Sequence, residues 1–490
     1  MNATAKLEIS VLAAALTLGV LGDALLRSFP WGVNFALWAG LLAAAIYSLG
    51  RTRPRAFTQG GGWLLVPIAL SPLAFLWHES PELKALNILC LLTALSLAML
   101  RAQGARLKAS SMMKYAVGSL IAALNTGFGI FPLLFGSSER KKSLGGGPRS
   151  GVAVLRGTAF ALLPMLIFGS LLMAADAVFQ NLVHSIVNVD FTSLVVVALL
   201  TTCVGGYLRG LLFGKELSLG SEQRLLPISL GRIEMGVMLG LLDVLFLAFV
   251  AVEVRYFFGG SALVRATTGL TYSEYARRGF FQLLAVAALL LPFLLVVHWL
   301  LRPDDAPGQR LFRWLAGIQI ALLSVIMVSA FERMRLYQAE YGLSESRLYP
   351  TAFMAWLAVV FVWFCLTVLR ARRERFAFGA MVAGFLLVAA LHVINPDTLI
   401  ARTNLERARA GRVFDPEYIA SLSADGVPEI IAGLPALNPK ARCMLAKAML
   451  ERWSPPEIPD WRSWTISAAE ARQAVRANEP ALRAACAQAK

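Results

Sequence analysis

The sequence is poor in charged residues, and that shortage decides its class. Only 16% of its 490 residues are Asp, Glu, Lys or Arg, and 57% are hydrophobic. Soluble domains carry about 25% charged residues. The mean hydropathy of +0.64 and the many apolar runs of about 18 residues or more therefore predict an all-α, polytopic integral membrane protein.

Recognisable catalytic and cofactor motifs are also missing. No spacing typical of metal ligands relates the histidines, which are His78, His184, His298 and His392. The glycine-rich stretches match neither a P-loop nor a dinucleotide fingerprint, and no GxSxG elbow occurs. We therefore predict no metal and no cofactor. An enzyme whose catalytic residues are dispersed along the chain stays open.

Cysteine is scarce, with five residues and no CxxC pair. Cys90, Cys203 and Cys365 lie inside apolar runs and are interpreted as small core residues. Cys443 and Cys486 lie in the polar C-terminal stretch, where a disulfide between them is feasible if that stretch faces an oxidising compartment. Two unpaired thiols in helices are the alternative.

The net charge of +16 comes from Lys and Arg in short turns between apolar runs. The positive-inside rule accounts for this placement, so we predict no nucleic-acid binding. We assign the Arg-rich connections at 51–55, 101–149 and 370–375 to the cytoplasm. The N-terminus is then cytoplasmic and, with an odd number of spans, the C-terminus is periplasmic.

The apolar runs predict about eleven transmembrane helices within residues 1–394. They cover 9–26, 33–49, 63–77, 84–100, 152–175, 194–213, 233–252, 279–301, 311–331, 351–369 and 376–394. Residues 112–135 are flanked by positive charge on both sides and are predicted to form an interfacial or re-entrant helix on the cytoplasmic face, followed by a linker to about residue 151.

Residues 395–490 form a second predicted domain, a small helical extracytoplasmic tail. Asp415 or Pro416 is predicted to open one helix, and Asn438 with Pro439 to open another that runs to Trp453. Ser467, with Glu470 three positions later, has the pattern of a capping box.

Two clusters of Arg, Glu and Tyr stand out at the predicted outer ends of spans. They suggest a wet, outward-facing cavity that binds a polar or anionic group. The alternative is an interfacial Tyr belt with Arg–Glu pairs that lock helix ends. The first cluster comprises Glu253, Arg255, Tyr256, Tyr272, Glu274, Tyr275, Arg277 and Arg278; the second comprises Glu332, Arg333, Arg335, Tyr337, Glu340 and Tyr341.

Asp243 is unusual because it lies in the middle of a predicted span. A carboxyl group at that depth is protonated, hydrogen-bonded to a neighbouring helix, or in contact with water. A proton or cation relay is therefore one hypothesis, and a neutral hydrogen bond between helices is the other.

Several stretches carry a family resemblance. They are LTYSEYARRGFFQLLAVAAL, FERMRLYQAEYGLSESRLYPTAFMAWLAVVFVWF, INPDTLIARTNLERA and DPEYIASLSADGVP. With these stretches the chain resembles bacterial membrane proteins catalogued as domain of unknown function 4173 and its relative 4153. The resemblance implies a bacterial inner-membrane location and a multi-span helical fold. It brings no reaction, ligand or catalytic residue.

Together these observations predict a transport, ligand-sensing or binding component with an outward-facing polar cavity. An integral-membrane enzyme acting on a lipid-linked or envelope substrate is one alternative, and a structural partner of another envelope protein is a second. The predicted partners are membrane lipids, an unidentified small-molecule or lipid ligand, and an envelope protein that binds the tail.

Overall fold

The computed structural model describes residues 3–51, 62–105, 107, 112–135, 191–214, 231–268, 280–301, 305–454 and 460–487, with 3–5, 62, 113, 134–135, 191, 253–268 and 487 as backbone only. In those ranges the chain consists of helices joined by short turns, without a β-strand. It divides into two compact units. The first holds Met1–Ser218 and Glu457–Ile466, and the second holds Leu219–Pro456 and Ser467–Lys490.

Seven helices build the first unit, as far as it is described. They are α1 Ala3–Leu26, α2 Val33–Gly50, α3 Leu65–Trp77, α4 Pro81–Ala102, α5 Met112–Phe128, α6 Ile130–Phe135 and α7 Phe191–Phe213. Helix α7 packs along α1 and α5, while α2 packs on α1 and α3, and α3 on α4.

The second unit has eleven helices in its described part. Five are long: α8 Arg232–Thr268, α9 Phe280–Leu300, α10 Ala306–Tyr341, α11 Glu345–Thr367 and α12 Phe376–Ile394. The tail adds α13 Pro396–Arg409, α14 Pro416–Ser421, α15 Val427–Gly433, α16 Pro439–Trp453, α17 Ile466–Ala477 and α18 Glu479–Ala487.

Nine described helices are long and apolar enough to cross a membrane. These candidate spans are Lys6–Leu26, Val33–Gly50, Pro81–Ala102, Thr192–Phe213, Arg232–Val252, Phe280–Leu300, Ala306–Tyr341, Glu345–Thr367 and Arg373–Ile394. Helix α3 is apolar but has only 13 residues, and the predicted span 152–175 lies outside the described residues. The all-α, multi-pass membrane class is confirmed, whereas the count of eleven stays a prediction.

The segment 112–135 consists of two helices that break at Gly129. A Cβ added to Gly206 of α7 would lie 2.3 Å from the Asn125 carbonyl oxygen, so the two backbones touch. The neighbouring Gly205 lies against both Ile130 and Ala15, which is near the middle of α1. The interfacial or re-entrant course of this segment stays a prediction, because the chain beyond Phe135 lies outside the described residues.

The core of the second unit surrounds α10. Helix α8 and helix α9 pack against α10, and α11 packs against α10 and α12. Apolar side chains at helical spacing fill this core, including Leu239, Leu294, Leu323 and Phe364. Burial of such side chains contributes about 25 cal/mol per Å² of apolar surface. The buried stripes therefore fix how these helices pack.

The tail helices begin where the sequence predicts, with one exception. The Asp415 side chain accepts from Tyr418 N at 3.0 Å, and that of Asn438 accepts from Ala441 N at 2.8 Å, so both are N-caps as predicted. The prediction of a capping box at Ser467 is wrong. Helix α17 begins at Ile466, and Ser467 Oγ donates instead to Asp425 Oδ1 at 2.6 Å.

Candidate functional site

The structure describes little of the first predicted cluster. Glu253, Arg255 and Tyr256 lie in the backbone-only end of α8, and their side chains lie outside the described part of the chain. The other five residues, Tyr272, Glu274, Tyr275, Arg277 and Arg278, lie outside it altogether. Their predicted role at an outward-facing cavity stays a prediction.

The second predicted cluster lies at the C-terminal end of α10. Glu332 and Arg335 form a surface ion pair with a nitrogen–oxygen distance of 3.5 Å, and the Arg335 side chain is 72% exposed. Pairs of this kind contribute about 0–1 kcal/mol. Arg333 is half-buried one position after Glu332. This end of the cluster therefore resembles an ordinary helix surface.

Tyr337 has a partner that the sequence analysis did not single out. The guanidinium of Arg347 lies 4.3 Å from the centre of the Tyr337 ring, a cation–π arrangement. Arg347 also donates to the carbonyl oxygens of Tyr341 and Gly342, at 3.1 and 2.6 Å. Tyr337 and Arg347 thus stabilise the turn between α10 and α11. The Arg347 guanidinium donates its hydrogen bonds there to backbone carbonyl oxygens.

Two tail arginines bind the same helix end. Arg407 donates to the carbonyl oxygens of Ala339 and Glu340, and Arg412 donates to that of Ala339 at 3.3 Å. The last carbonyls of a helix have no partner inside it and carry partial negative charge, so arginine satisfies both needs. Burial, and then the neighbouring Arg412, lower the pKa of Arg407. The positive charge of Arg407 therefore stabilises the contact between the end of α10 and the tail.

The side chains of Asn404 and Tyr418 also connect the tail to the turn between α10 and α11. Asn404 donates to Leu343 O at 2.7 Å and accepts from Leu343 N at 3.2 Å. Tyr418 Oη accepts from Glu345 N at 2.9 Å, and burial raises the pKa of Tyr418 to about 12. Around Tyr337, therefore, arginine, asparagine and tyrosine side chains bind the backbone of the α10–α11 turn. The predicted ligand-binding role of Glu332, Arg333, Arg335 and Tyr337 stays a prediction.

Asp243 differs from that cluster because nothing satisfies it. Its residue is 8% exposed, and neither carboxylate oxygen has a hydrogen-bond partner in the part of the chain that the structure describes. It lies within the candidate span Arg232–Val252. The hydrogen bond to a neighbouring helix that the sequence left open for Asp243 is therefore not formed with any residue that the structure describes.

Gln319 has the same property on a neighbouring helix. It is fully buried in α10, and among the described residues neither its Oε1 nor its Nε2 has a hydrogen-bond partner. The sequence analysis missed it. The signal was present, because Gln319 is the one amide in the apolar run 311–331.

The packing of α8 on α10 places the two residues at one level. A Cβ added to Gly236 would lie 3.1 Å from Leu311 Cδ2 near the start of both helices, which pack along each other. Asp243 lies seven residues beyond Gly236, about 11 Å, and Gln319 lies eight beyond Leu311, about 12 Å. Both residues belong to the buried faces of their helices.

Four buried polar atoms at one level of a membrane span need an explanation. An unpartnered buried amide costs roughly 1–3 kcal/mol, and an isolated buried carboxylate costs far more unless its charge is neutralised. A proton or a small cation neutralises Asp243, and the Gln319 side-chain oxygen is a neutral ligand for either. Asp243 is therefore a candidate residue for binding a proton or cation, with Gln319 at the same level of the neighbouring helix.

The described residues contain no group of three or more His, Cys, Asp or Glu side chains arranged for a metal ion. In the tail, a disulfide joins Cys443 to Cys486, with a Cα–Cα distance of 4.5 Å. Cys90, Cys203 and Cys365 are free and half-buried.

Comparison with known proteins gives a family. Residues 65–433 of this chain match the family described as Domain of unknown function (DUF4153). The match runs from α3 to the end of α15, about three quarters of the chain. It does not confirm the likeness to family 4173. Neither the curated proteins nor the solved structures contain a significant match. The chain is a multi-pass, all-α membrane protein and belongs to the DUF4153 family.

Proposed function

We propose that this protein is a transport or ligand-sensing component that binds a proton or a small monovalent cation at Asp243 and Gln319. One observation carries the proposal. Both side chains are buried at one level of two packed, membrane-spanning helices, and the structure gives their four polar atoms no partner within its described ranges. Intramembrane carboxylates of this kind belong to proton and ion routes.

The proposal extends to the orientation of the chain. In the first unit, the cations at the α1–α2 and α3–α4 turns are paired, Arg27 with Asp23 at 2.9 Å and Lys84 with Glu79 at 3.7 Å. The opposite ends of the first unit's helices carry Lys6, Arg51, Arg101 and Arg209. In the second unit, the start of α10 carries Arg310 and Arg313, and the α11–α12 connection carries Arg370, Arg372, Arg373 and Arg375. These basic ends support a cytoplasmic assignment.

The tail is then extracytoplasmic, in line with its disulfide, because disulfides persist in oxidising compartments. We extend this to the bacterial inner membrane with a periplasmic tail. In this orientation a cation reaches Asp243 from the tail side, through the outward-facing cavity that the first Arg, Glu and Tyr cluster predicts.

Thermal unfolding of the purified full chain in detergent tests the cation proposal. A ligand that binds only the folded state stabilises it by about 2.7 kcal/mol at 100 times its dissociation constant. We expect Na⁺, K⁺ or a fall in pH to raise the unfolding temperature of the unmodified chain. Asp243→Asn should abolish that response and Gln319→Leu should weaken it.

Gly240→Ala is the matched control, since it lies one turn before Asp243 and an added Cβ meets nothing within 4 Å. It should retain the full cation response. Flux of ²²Na⁺ or protons into liposomes that contain the full chain then separates transport from sensing. A cation response that survives Asp243→Asn, or an unmodified chain that responds to none of these cations, contradicts the proposal.

A further inference from the structure

A short segment of the tail belongs to the first unit. Residues 460–466, here called the strap, include a 3₁₀ turn at Trp461–Ser463 that packs on α2. The strap lies more than sixty residues beyond Ile394, the end of the last candidate span. Its return to helices from the start of the chain is not evident from the sequence.

The strap is held at two turns of the first unit by its polar groups. At the α1–α2 turn, Ser28 Oγ donates to Asp460 Oδ2 at 2.8 Å and Arg462 donates to Ala24 O at 2.6 Å. Arg462 is also paired with Asp460 at 2.7 Å. Together with the bond from Ser28, this pairing holds the pKa of Asp460 well below its usual range.

The second half of the strap is fixed in the same way. Val33 N donates to Trp464 O at 3.1 Å, and Thr465 Oγ1 donates to Glu79 Oε2 at 2.7 Å. A Cβ added to Gly32 would lie 2.4 Å from Trp464 O, so a glycine permits this approach. The carboxylate, guanidinium, hydroxyl and carbonyl groups named here all bind protein.

The apolar groups of the same surface face away from the protein. Trp461 is 61% exposed and Trp464 is 42% exposed. Phe29, in the α1–α2 turn to which the strap is bound, is 82% exposed. This arrangement is the reverse of a water-facing surface, where polar groups would point outward and rings inward.

The level of these rings in the fold indicates their surroundings. The strap contacts lie just beyond Leu26, where α1 ends, at Val33, where α2 begins, and at Glu79, between α3 and α4. Helices α1, α2 and α4 are candidate spans. The rings therefore lie where the headgroup layer begins, the region in which Trp is enriched in membrane proteins.

We propose that Phe29, Trp461 and Trp464 form a lipid-binding surface, inserted among the phospholipid headgroups of the leaflet on the tail side. The strap carries these tryptophans because its polar groups bind the helix ends and leave the rings to the lipid. The surface anchors the C-terminal segment in the membrane interface. It does not depend on the cation site at Asp243.

A fluorescent label at three positions tests this. The full chain, with Cys90, Cys203 and Cys365 replaced by alanine, is labelled with the environment-sensitive dye NBD at a single introduced cysteine. The positions are Trp461→Cys, Val20→Cys on the exposed face of α1, and Glu470→Cys on the exposed surface of α17. Each protein is placed in phosphatidylcholine–phosphatidylglycerol vesicles, and quenching by headgroup-linked and by water-soluble nitroxides is compared.

We expect the Trp461→Cys label to be quenched severalfold more by the headgroup-linked nitroxide than the Glu470→Cys label, and the Val20→Cys label to resist the water-soluble one. Phe29→Cys repeats the measurement without altering the strap, in case Trp461→Cys fails to fold. If both surface labels behave like Glu470→Cys, the rings face water and the proposal fails. If neither nitroxide quenches them, protein covers the surface, and the proposal fails as well.

Discussion

The second unit contains two buried polar sites. In the tail site the side chains bind one another, although Asp397 Oδ1 has no hydrogen-bond partner among the described residues; in the other site the side chains have no such bonds. In the tail, Ser423 Oγ donates to Asp397 Oδ2, and Ser467 Oγ donates to Asp425 Oδ1. All four residues are less than a tenth exposed. Asp243 and Gln319 are buried as deeply, yet their side chains have no hydrogen-bond partner among the described residues.

The difference separates structure from function. Buried polar groups that are hydrogen-bonded stabilise a fold and specify its arrangement. A buried group left without partners lowers stability, and inside a membrane span such a carboxyl group is a candidate site for a ligand or proton. We therefore interpret the tail network as structural and the Asp243–Gln319 pair as a binding site. The predictions below separate the two interpretations.

Loss of the tail disulfide should have the largest effect. The bond between Cys443 and Cys486 closes a loop between residues 43 positions apart. The chain-entropy estimate for such a loop is about 4 kcal/mol. Cys443→Ser should therefore make the tail of the full chain sensitive to protease at lower temperature, as should a reducing agent. Cys365→Ser, which removes a free thiol, is the control, and equal protease resistance in both variants would contradict the expectation.

Breaking the tail network should have the next largest effect. Asp425→Ala leaves Ser467 Oγ and Ser423 Oγ with fewer partners in a buried site, which should cost about 2–3 kcal/mol of unfolding free energy. Thermal unfolding of the purified chain measures it. Ser421→Ala removes an exposed hydroxyl close by and should change stability by less than about 0.5 kcal/mol. If the two variants unfold alike, the network is not what stabilises the tail.

The joint between α10 and the tail should show a smaller, pH-dependent effect. Tyr418→Phe removes one hydrogen bond to Glu345 N, worth about 1 kcal/mol. Burial raises the pKa of Tyr418 from 10.0 to about 12, so its neutral form stabilises the fold fully below pH 10, and that contribution is lost as the pH rises to 12. The stability difference from Tyr418→Phe should shrink over this interval. A constant difference would show that Tyr418 is not buried as the structure places it.

Substitution of Asp243 by an apolar residue should have the smallest effect on stability, in contrast to Asp425. Asp243→Leu removes an unsatisfied carboxyl group, so we expect no loss or a gain of up to about 1 kcal/mol. The reading is the unfolding temperature without added cations. A loss of stability comparable to that of Asp425→Ala would mean that Asp243 has a structural role. The proposed difference between the two sites would then be wrong.

The sequence predicts much of this fold but little of the site. Apolar runs and N-caps such as Asp415 and Asn438 act locally, and hydropathy and propensity report them. Ser467 binds Asp425, which is 42 residues away. The local sequence pattern therefore predicted a capping box that is not formed. Gln319 lies at the level of Asp243 because of how α8 packs along α10. Tertiary packing sets that alignment, and the local sequence does not show it. The strap at 460–466 contacts helix ends more than 380 residues away, beyond the reach of any local pattern.

Cation-dependent unfolding of Asp243→Asn and Asp425→Asn, compared in one experiment with the unmodified chain, tests the central claim most directly. We predict that Asp425→Asn unfolds at a lower temperature and keeps the full response to cations, whereas Asp243→Asn unfolds at a similar or higher temperature and loses it. The opposite pattern, with the cation response intact in Asp243→Asn and its stability reduced, would contradict the assignment of Asp243 as a binding site.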